Sequence, residues 1–249
     1  MDQEHDQGDP PAVRDGMVLG AHWGFLAFFT GVGGYYLTSL VLAAVLVGGF
    51  TGTNMLDVPE IGPVILVVFL PNLALGLGPA LGSWLRGRGL RAEFGLLPDV
   101  RDLKVGLACG GFALLTGYVL NLLLIAVYGS GRAWEDPLSE VSEGLGGTTV
   151  WLLVTAAIVV LLAPLTEELL LRGALWKALR HHRVPAWVIL LLTALVFALL
   201  HGESHRTVAL LGQGVAIGAA RLITGRTGAS LVAHAANNLP PAVLLVAAS

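Results

Sequence analysis

Seven long stretches of the chain contain no Asp, Glu, Lys or Arg, and they constrain the fold more than any other feature. They cover residues 16–56, 61–85, 105–131, 144–166, 184–202, 207–220 and 227–249. An α-helix needs about 20 mostly apolar residues to cross the hydrocarbon core of a bilayer, and it satisfies its own backbone hydrogen bonds there. The sequence therefore predicts an all-α, polytopic transmembrane helix bundle with about seven spans.

Two of these stretches leave alternatives for the number of spans. Residues 16–56 suffice for one tilted helix, or for one span plus a re-entrant piece near residues 31–34. Residues 207–220 span a membrane only if their helix includes Arg206 or Arg221, whose guanidinium can reach the interface. The other five stretches are long enough, or nearly so, to predict one span each.

The basic residues between the stretches predict how the chain is oriented. Ten of them fall in loops that follow even-numbered spans, against two, Arg132 and Arg206, in the opposite loops. Lys and Arg are concentrated in cytoplasmic loops of membrane proteins. We therefore predict an integral multi-pass protein of the plasma (inner) membrane with a cytoplasmic N-terminus.

The chain divides into three predicted regions. Residues 1–16 are acidic and contain two adjacent prolines, which is typical of a disordered cytoplasmic tail. Residues 17–131 hold the N-terminal transmembrane helices, with an interfacial helix near 90–104 that is interrupted at Pro98. Residues 144–249 form a C-terminal transmembrane core.

The net charge of −3 excludes a basic nucleic-acid-binding protein, and a single cysteine, Cys109, excludes an internal disulfide.

Three clusters of ionisable or amide groups lie in or beside the C-terminal apolar stretches. A charged group inside a span costs roughly 2.5–3.5 kcal/mol on insertion scales, so such groups usually serve a function. Each cluster also has a structural explanation: a cytoplasmic helix extension for the first, packing for the second, and an interhelical hydrogen bond for the third. The clusters are Glu167, Glu168 and Arg172; Phe197 and His201; and His234 and Asn238.

Together the clusters supply what water activation and oxyanion stabilisation require. Glu168 and Arg172 are four residues apart on one helix, so they share a face and can form an ion pair. Glu167 lies about 100° away around the same helix and is left without an obligatory partner. His234 and Asn238 likewise share one face of the last span. Three helices thus each bring a proton-exchanging or amide group, which favours a catalytic site over coincidence.

These residues, in this order, resemble the CAAX-protease and bacteriocin-processing (CPBP, or Abi) family of intramembrane proteases. That family shows Glu-Glu-x-x-x-Arg, Phe-x-x-x-His and His-x-x-x-Asn/Asp on consecutive catalytic helices. The chain carries these patterns at 167–172, 197–201 and 234–238. The resemblance covers about residues 144–249 and places the catalytic residues on the C-terminal four spans.

The resemblance implies a role for each of these residues. Glu167 and His201 would hold and activate the attacking water, and His234 and Asn238 would stabilise the oxyanion. Glu168, paired with Arg172, would orient the site.

Members of the family have been discussed as metalloproteases and as glutamate-type proteases. No His-Glu-x-x-His zinc signature is present. Glu167, His201 and His234 could nevertheless hold a catalytic Zn²⁺, because two histidines and one glutamate suit an open zinc site. We favour the mechanism without a metal.

The predicted function is that of a CAAX-prenyl-protease-like endopeptidase acting on a peptide or protein substrate at the membrane. Two alternatives stay open: a proton-coupled transporter, and a non-enzymatic immunity or scaffold protein of the membrane. The sequence does not specify an oligomeric state.

One geometric requirement follows from the numbering. His201 lies about 25 Å along its helix from Val184, whereas His234 lies about 10 Å from Thr227. To bring the imidazoles together, we predict a turn sunk into the bilayer before the fifth span.

Overall fold

The computed structural model describes residues 22–50, 61–129 and 149–247, and within these ranges its regular structure is helical. The predicted tail at 1–16 lies outside the described residues. The helices are α1 (Trp23–Phe50), α2 (Ile61–Arg86), α3 (Leu90–Phe94), α4 (Val100–Tyr128), α5 (Thr149–His181), α6 (Ala186–Leu200), α7 (Thr207–Thr224) and α8 (Thr227–Ala247).

Six of these helices are long and apolar enough to cross a membrane, judged by length and composition. They are α1, α2, α4, α5, α7 and α8, and they confirm the all-α, polytopic bundle. Over its described residues, the first stretch forms the single helix α1. The sixth stretch forms α7, which reaches 18 residues by including Arg221 in its last turn.

The shortest of the seven apolar helices is α6, although the sequence predicted a nearly full-length span there. It has 15 residues, which at about 1.5 Å per residue measure about 22 Å, less than the roughly 30 Å hydrocarbon core. Pro185 precedes its first turn, and Gly202, with φ of 69°, follows its end. A proline and a left-handed glycine therefore bound this helix within the charge-free stretch.

The region predicted as an interrupted interfacial helix is broken over five residues rather than at Pro98 alone. Helix α3 ends at Phe94, and Gly95 caps it. The φ of Gly95 is 58°, a left-handed conformation that glycine adopts without strain. Helix α4 begins after Asp99, which accepts a hydrogen bond from the Asp102 backbone N–H at 2.9 Å. The Asp102 carboxylate accepts one from the Asp99 N–H at 3.1 Å, which completes a capping box.

Pairs of glycines four residues apart bring helices into close contact. A Cβ atom on Gly78 would lie 2.4 Å from the Ala27 carbonyl oxygen, and one on Gly110 would lie 2.5 Å from the Ala233 oxygen. Small residues in this spacing let membrane helices approach closely. The pairs are Gly78 and Gly82 of α2 against α1, Gly106 and Gly110 of α4 against α8, and Gly214 and Gly218 of α7 against α6.

Helix α5 carries the first cluster and departs twice from regular α geometry. It contains π-helical segments at Ile158–Leu162 and Leu169–Leu175, and every residue of the second segment is buried. The Arg172 carbonyl in this segment accepts hydrogen bonds from Arg221 Nε and Thr227 Oγ1, both at 3.2 Å. The π segment therefore connects α5 directly to α7 and α8, and π segments of this kind are frequent at functional sites.

Candidate active site

The predicted pair of Glu168 and Arg172 forms, and it is completely buried. Arg172 Nη1 lies 2.7 Å from Glu168 Oε1, and both side chains are 0% exposed. The other terminal nitrogen of Arg172 donates to the Gly214 carbonyl at 2.7 Å, and the guanidinium carbon lies 5.3 Å from the centre of the Phe197 ring. The pair thereby binds α5 to α6 and α7 near the proposed reacting groups.

His234 lies between the two glutamates. Its Nδ1 is 3.0 Å from Glu168 Oε1, and its Nε2 is 4.0 Å from Glu167 Oε2. A carboxylate accepts hydrogen bonds, so the contact with Glu168 places the proton on Nδ1. The second carboxyl–imidazole contact, with Glu167, is longer than a hydrogen bond.

Glu167 reaches a cavity of about 200 Å³ inside the bundle. Its Oε2 atom is buried and has no hydrogen-bond partner among the described residues. This oxygen faces His234 Nε2 at 4.0 Å, so the Glu167 side chain borders both His234 and the cavity. The residues lining the cavity are Tyr35, Asn72, Leu75, Glu167, Leu171, Phe197, Leu200 and His201.

His201 lines the same cavity as Glu167 and has a defined tautomer. Its Nδ1 lies 2.8 Å from the Phe197 carbonyl oxygen, one helical turn earlier. A carbonyl can only accept, so Nδ1 carries the proton, and in the neutral ring Nε2 is left as an acceptor. The His201 ring also lies 4.5 Å from the Phe197 ring, centre to centre, which fixes its position.

The second and third clusters meet at Phe197, whose ring lies beside the Arg172 guanidinium and against His234. Leu190 packs against Gly218, which also contacts the Arg172 guanidinium, and Thr227 donates to the Arg172 carbonyl. Seven residues further along the two helices, Phe197 and His234 lie with ring centres 5.4 Å apart. The imidazoles of His201 and His234 therefore both lie against the Phe197 ring, and the depth in the bilayer of the turn before the fifth span stays a prediction.

Asn238 is placed differently from the other predicted site residues. Its amide nitrogen donates to the Val159 carbonyl at 3.0 Å, and its amide oxygen accepts from Asn237 at 2.9 Å. Asn237 in turn accepts from Gln213 at 3.3 Å. Of the six predicted residues, only Glu167 and His201 line the cavity. Glu168, Arg172 and His234 are joined to one another beside Phe197, and Asn238 lies in a neighbouring amide chain.

The three residues considered for zinc do not form a ligand group as they stand. Among residues 22–50, 61–129 and 149–247, no set of three or more His, Cys, Asp and Glu side chains is arranged to hold a metal ion. His234 directs Nδ1 to Glu168, and its Nε2 is 4.0 Å from Glu167, wider than two ligands about 2.0–2.2 Å from one zinc usually stand.

Two residues that line the cavity were not predicted from the sequence. Tyr35 of α1 and Asn72 of α2 face Glu167 and His201 across it. The described residues give the Asn72 amide no hydrogen-bond partner. Asn72 is an uncharged amide in the middle of a charge-free stretch, so counting polar as well as charged groups within spans would have indicated it. Tyr35 directly follows two glycines in a stretch of the same kind.

The fold and the cluster define a class of protein: a polytopic membrane protein with carboxylates, imidazoles and a guanidinium enclosed by its helices. Residues 149–240, from the start of α5 into α8, match the family described as type II CAAX prenyl endopeptidase, Rce1-like. This match confirms the resemblance over residues 149–240 and supports, in general terms, a CAAX-type intramembrane endopeptidase. Comparisons with curated proteins and with solved structures found no match.

Proposed function

We propose that the protein hydrolyses a peptide bond of a membrane-associated or lipidated substrate with a water molecule activated by Glu167 and His201. The observation that carries the proposal is the cavity that the side chains of Glu167 and His201 both line, together with the His201 imidazole, which has one free acceptor nitrogen. Water held between these two acceptors can donate one hydrogen to each. Its oxygen lone pair is then free to attack a carbonyl carbon.

The proposed reaction moves one proton through Glu167. As the water oxygen bonds to the carbonyl carbon, its proton passes to the Glu167 carboxylate. When the tetrahedral intermediate collapses and the C–N bond breaks, Glu167 gives that proton to the leaving amine. The charges of Glu168 and Arg172 cancel within their buried pair, so this pair positions His234 through the 3.0 Å contact and does not exchange protons with the substrate.

The oxyanion needs at least one hydrogen-bond donor in the cavity. We propose that His234 donates from Nε2 when it is protonated, since this atom is the one that approaches Glu167. For the second donor, the family resemblance implies Asn238. The contacts favour Asn72, because its amide lines the cavity whereas the Asn238 amide already donates to Val159. Donors in such sites contribute about 10²–10³-fold to rate.

We expect Asn72→Ala to lower kcat by about 10²-fold, because it removes an oxyanion donor that acts in the transition state. We expect Asn238→Ala to act mainly on stability, because it leaves the Val159 carbonyl without its partner at a cost of about 1–3 kcal/mol. Steady-state kinetics and thermal unfolding of both variants separate the two effects. The opposite pattern, a kcat loss confined to Asn238→Ala, would return the oxyanion role to Asn238.

Cleavage of defined peptides by the purified protein in liposomes tests the function. We expect the protein to cleave a fluorogenic peptide with a lipidated cysteine a few residues before its C-terminus at least about tenfold faster than the unlipidated peptide, because the lipid anchors the substrate beside the bundle. The assay is run with and without a zinc chelator. Unchanged rates support the mechanism without a metal, and loss of activity that added zinc restores would contradict it. The absence of any cleavage would contradict the proposed function.

A further inference from the structure

A second cavity lies where the last turns of α5 and α7 meet, and it shares no lining residue with the Glu167 cavity. It measures about 430 Å³. It lies at the end of the bundle that the distribution of basic residues assigns to the cytoplasm. Its charged and aromatic lining comprises His22, Trp176, Lys177, Arg180, His181 and Arg221.

Among the described residues, the lining of this second cavity contains cations and no carboxylate. One of these cations, Lys177, is neutralised by a residue that does not line the cavity, because it forms a salt bridge with Glu93 of α3. Burial would raise the pKa of Glu93, but the hydrogen bond and charge of Lys177, together with Arg88, outweigh it and hold that pKa below its ordinary value. Glu93 is therefore ionised near neutral pH, and among the described residues no carboxylate forms a salt bridge with the Arg180 or Arg221 of this lining.

Arg221 is the member of this lining that most requires an anion. It is 7% exposed, and its guanidinium carbon lies 5.8 Å from the centre of the Trp176 ring. Its Nε donates to the Arg172 carbonyl, and within the described ranges no carboxylate forms a salt bridge with it. A buried charge without a counter-charge is costly, and a bound anion relieves that cost.

We propose that this cavity binds a phosphate group, held by Arg221 with Arg180. The planar guanidinium presents paired donors that match phosphate oxygens, and Arg180 adds a second positive charge at the same opening. Basic cavities between membrane helices on the cytoplasmic side bind acidic lipid headgroups by this chemistry. An anionic phospholipid and free inorganic phosphate present the same group.

Binding to the delipidated full-length protein in a neutral detergent distinguishes these two sources. The probes are inorganic phosphate and phosphatidylglycerol in mixed micelles, with zwitterionic phosphatidylcholine as the comparison. Thermal unfolding followed by tryptophan fluorescence reports binding, and native mass spectrometry reports retained lipid. We expect inorganic phosphate or phosphatidylglycerol to raise Tm by more than phosphatidylcholine does. A shift with phosphatidylglycerol alone identifies a headgroup, and a shift with inorganic phosphate identifies the free ion.

Two single-charge variants make the test specific. We expect Arg180→Gln to weaken the apparent affinity for the effective probe about tenfold, since one charge-assisted contact is lost. The matched control is Arg183→Gln, which removes one positive charge just beyond the same end of α5 and does not line the cavity. We expect this control to stay within about twofold of the wild type. No shift with either probe, equal shifts with phosphatidylcholine, or an equal loss in the control would each overturn the proposal.

Discussion

We expect Glu167→Gln to lower the rate of peptide cleavage by about 10²–10⁴-fold, the range that a positioned general base contributes. Glutamine keeps the size of the side chain but cannot take a proton from water. The fold should survive, because the Glu167 Oε2 atom makes no hydrogen bond within the described residues that the substitution would break. The measurements are kcat/KM on the lipidated peptide and Tm of the purified variant.

The matched control is Glu203→Gln, just before α7. Glu203 forms a partly exposed pair with Arg206 at 2.7 Å and does not line the Glu167 cavity. We expect its cleavage rate to stay within about twofold of the wild type, because surface ion pairs contribute little. If Glu167→Gln kept more than a tenth of the wild-type rate with an unchanged Tm, Glu167 could not be the base.

Features of the molecule that depend on local spacing were predictable from the sequence. The charge-free stretches indicated the helices because only a helix satisfies its backbone within lipid. The pair of Glu168 and Arg172 followed from the four-residue spacing on one helix. The same spacing placed His201 one turn beyond Phe197, where its Nδ1 meets the Phe197 carbonyl.

Features that depend on packing between distant helices were not predictable in this way. The contribution of Asn72 to the cavity requires α2 to pack against α5, where Gly76 lies against Thr166. The partner of Asn238 is the Val159 carbonyl, which lies in a π segment that no spacing rule indicated. The contact between Phe197 of α6 and His234 of α8 depends on packing around Arg172. Counting residues along each helix separately does not predict such packing.

The largest effect on stability is expected from Glu168→Leu. This substitution leaves the Arg172 guanidinium, which is completely buried, without its carboxylate, and it also removes the partner of His234 Nδ1. Removing one member of a buried ion pair typically costs about 3–5 kcal/mol. We expect a loss of that size in the free energy of unfolding, measured by titration with a denaturing detergent.

The double variant Glu168→Leu, Arg172→Met separates the cost of the unpaired charge from the loss of packing. It removes both charges and leaves apolar side chains of similar size, so it should recover most of the stability that the single variant loses. Glu203→Leu is the matched control, because its pair with Arg206 is about one-quarter exposed on each side, and we expect it to cost less than about 1 kcal/mol. Two results would show that the buried charge does not determine the stability of this site. One is a single variant no less stable than the control, and the other is a double variant less stable than the single one.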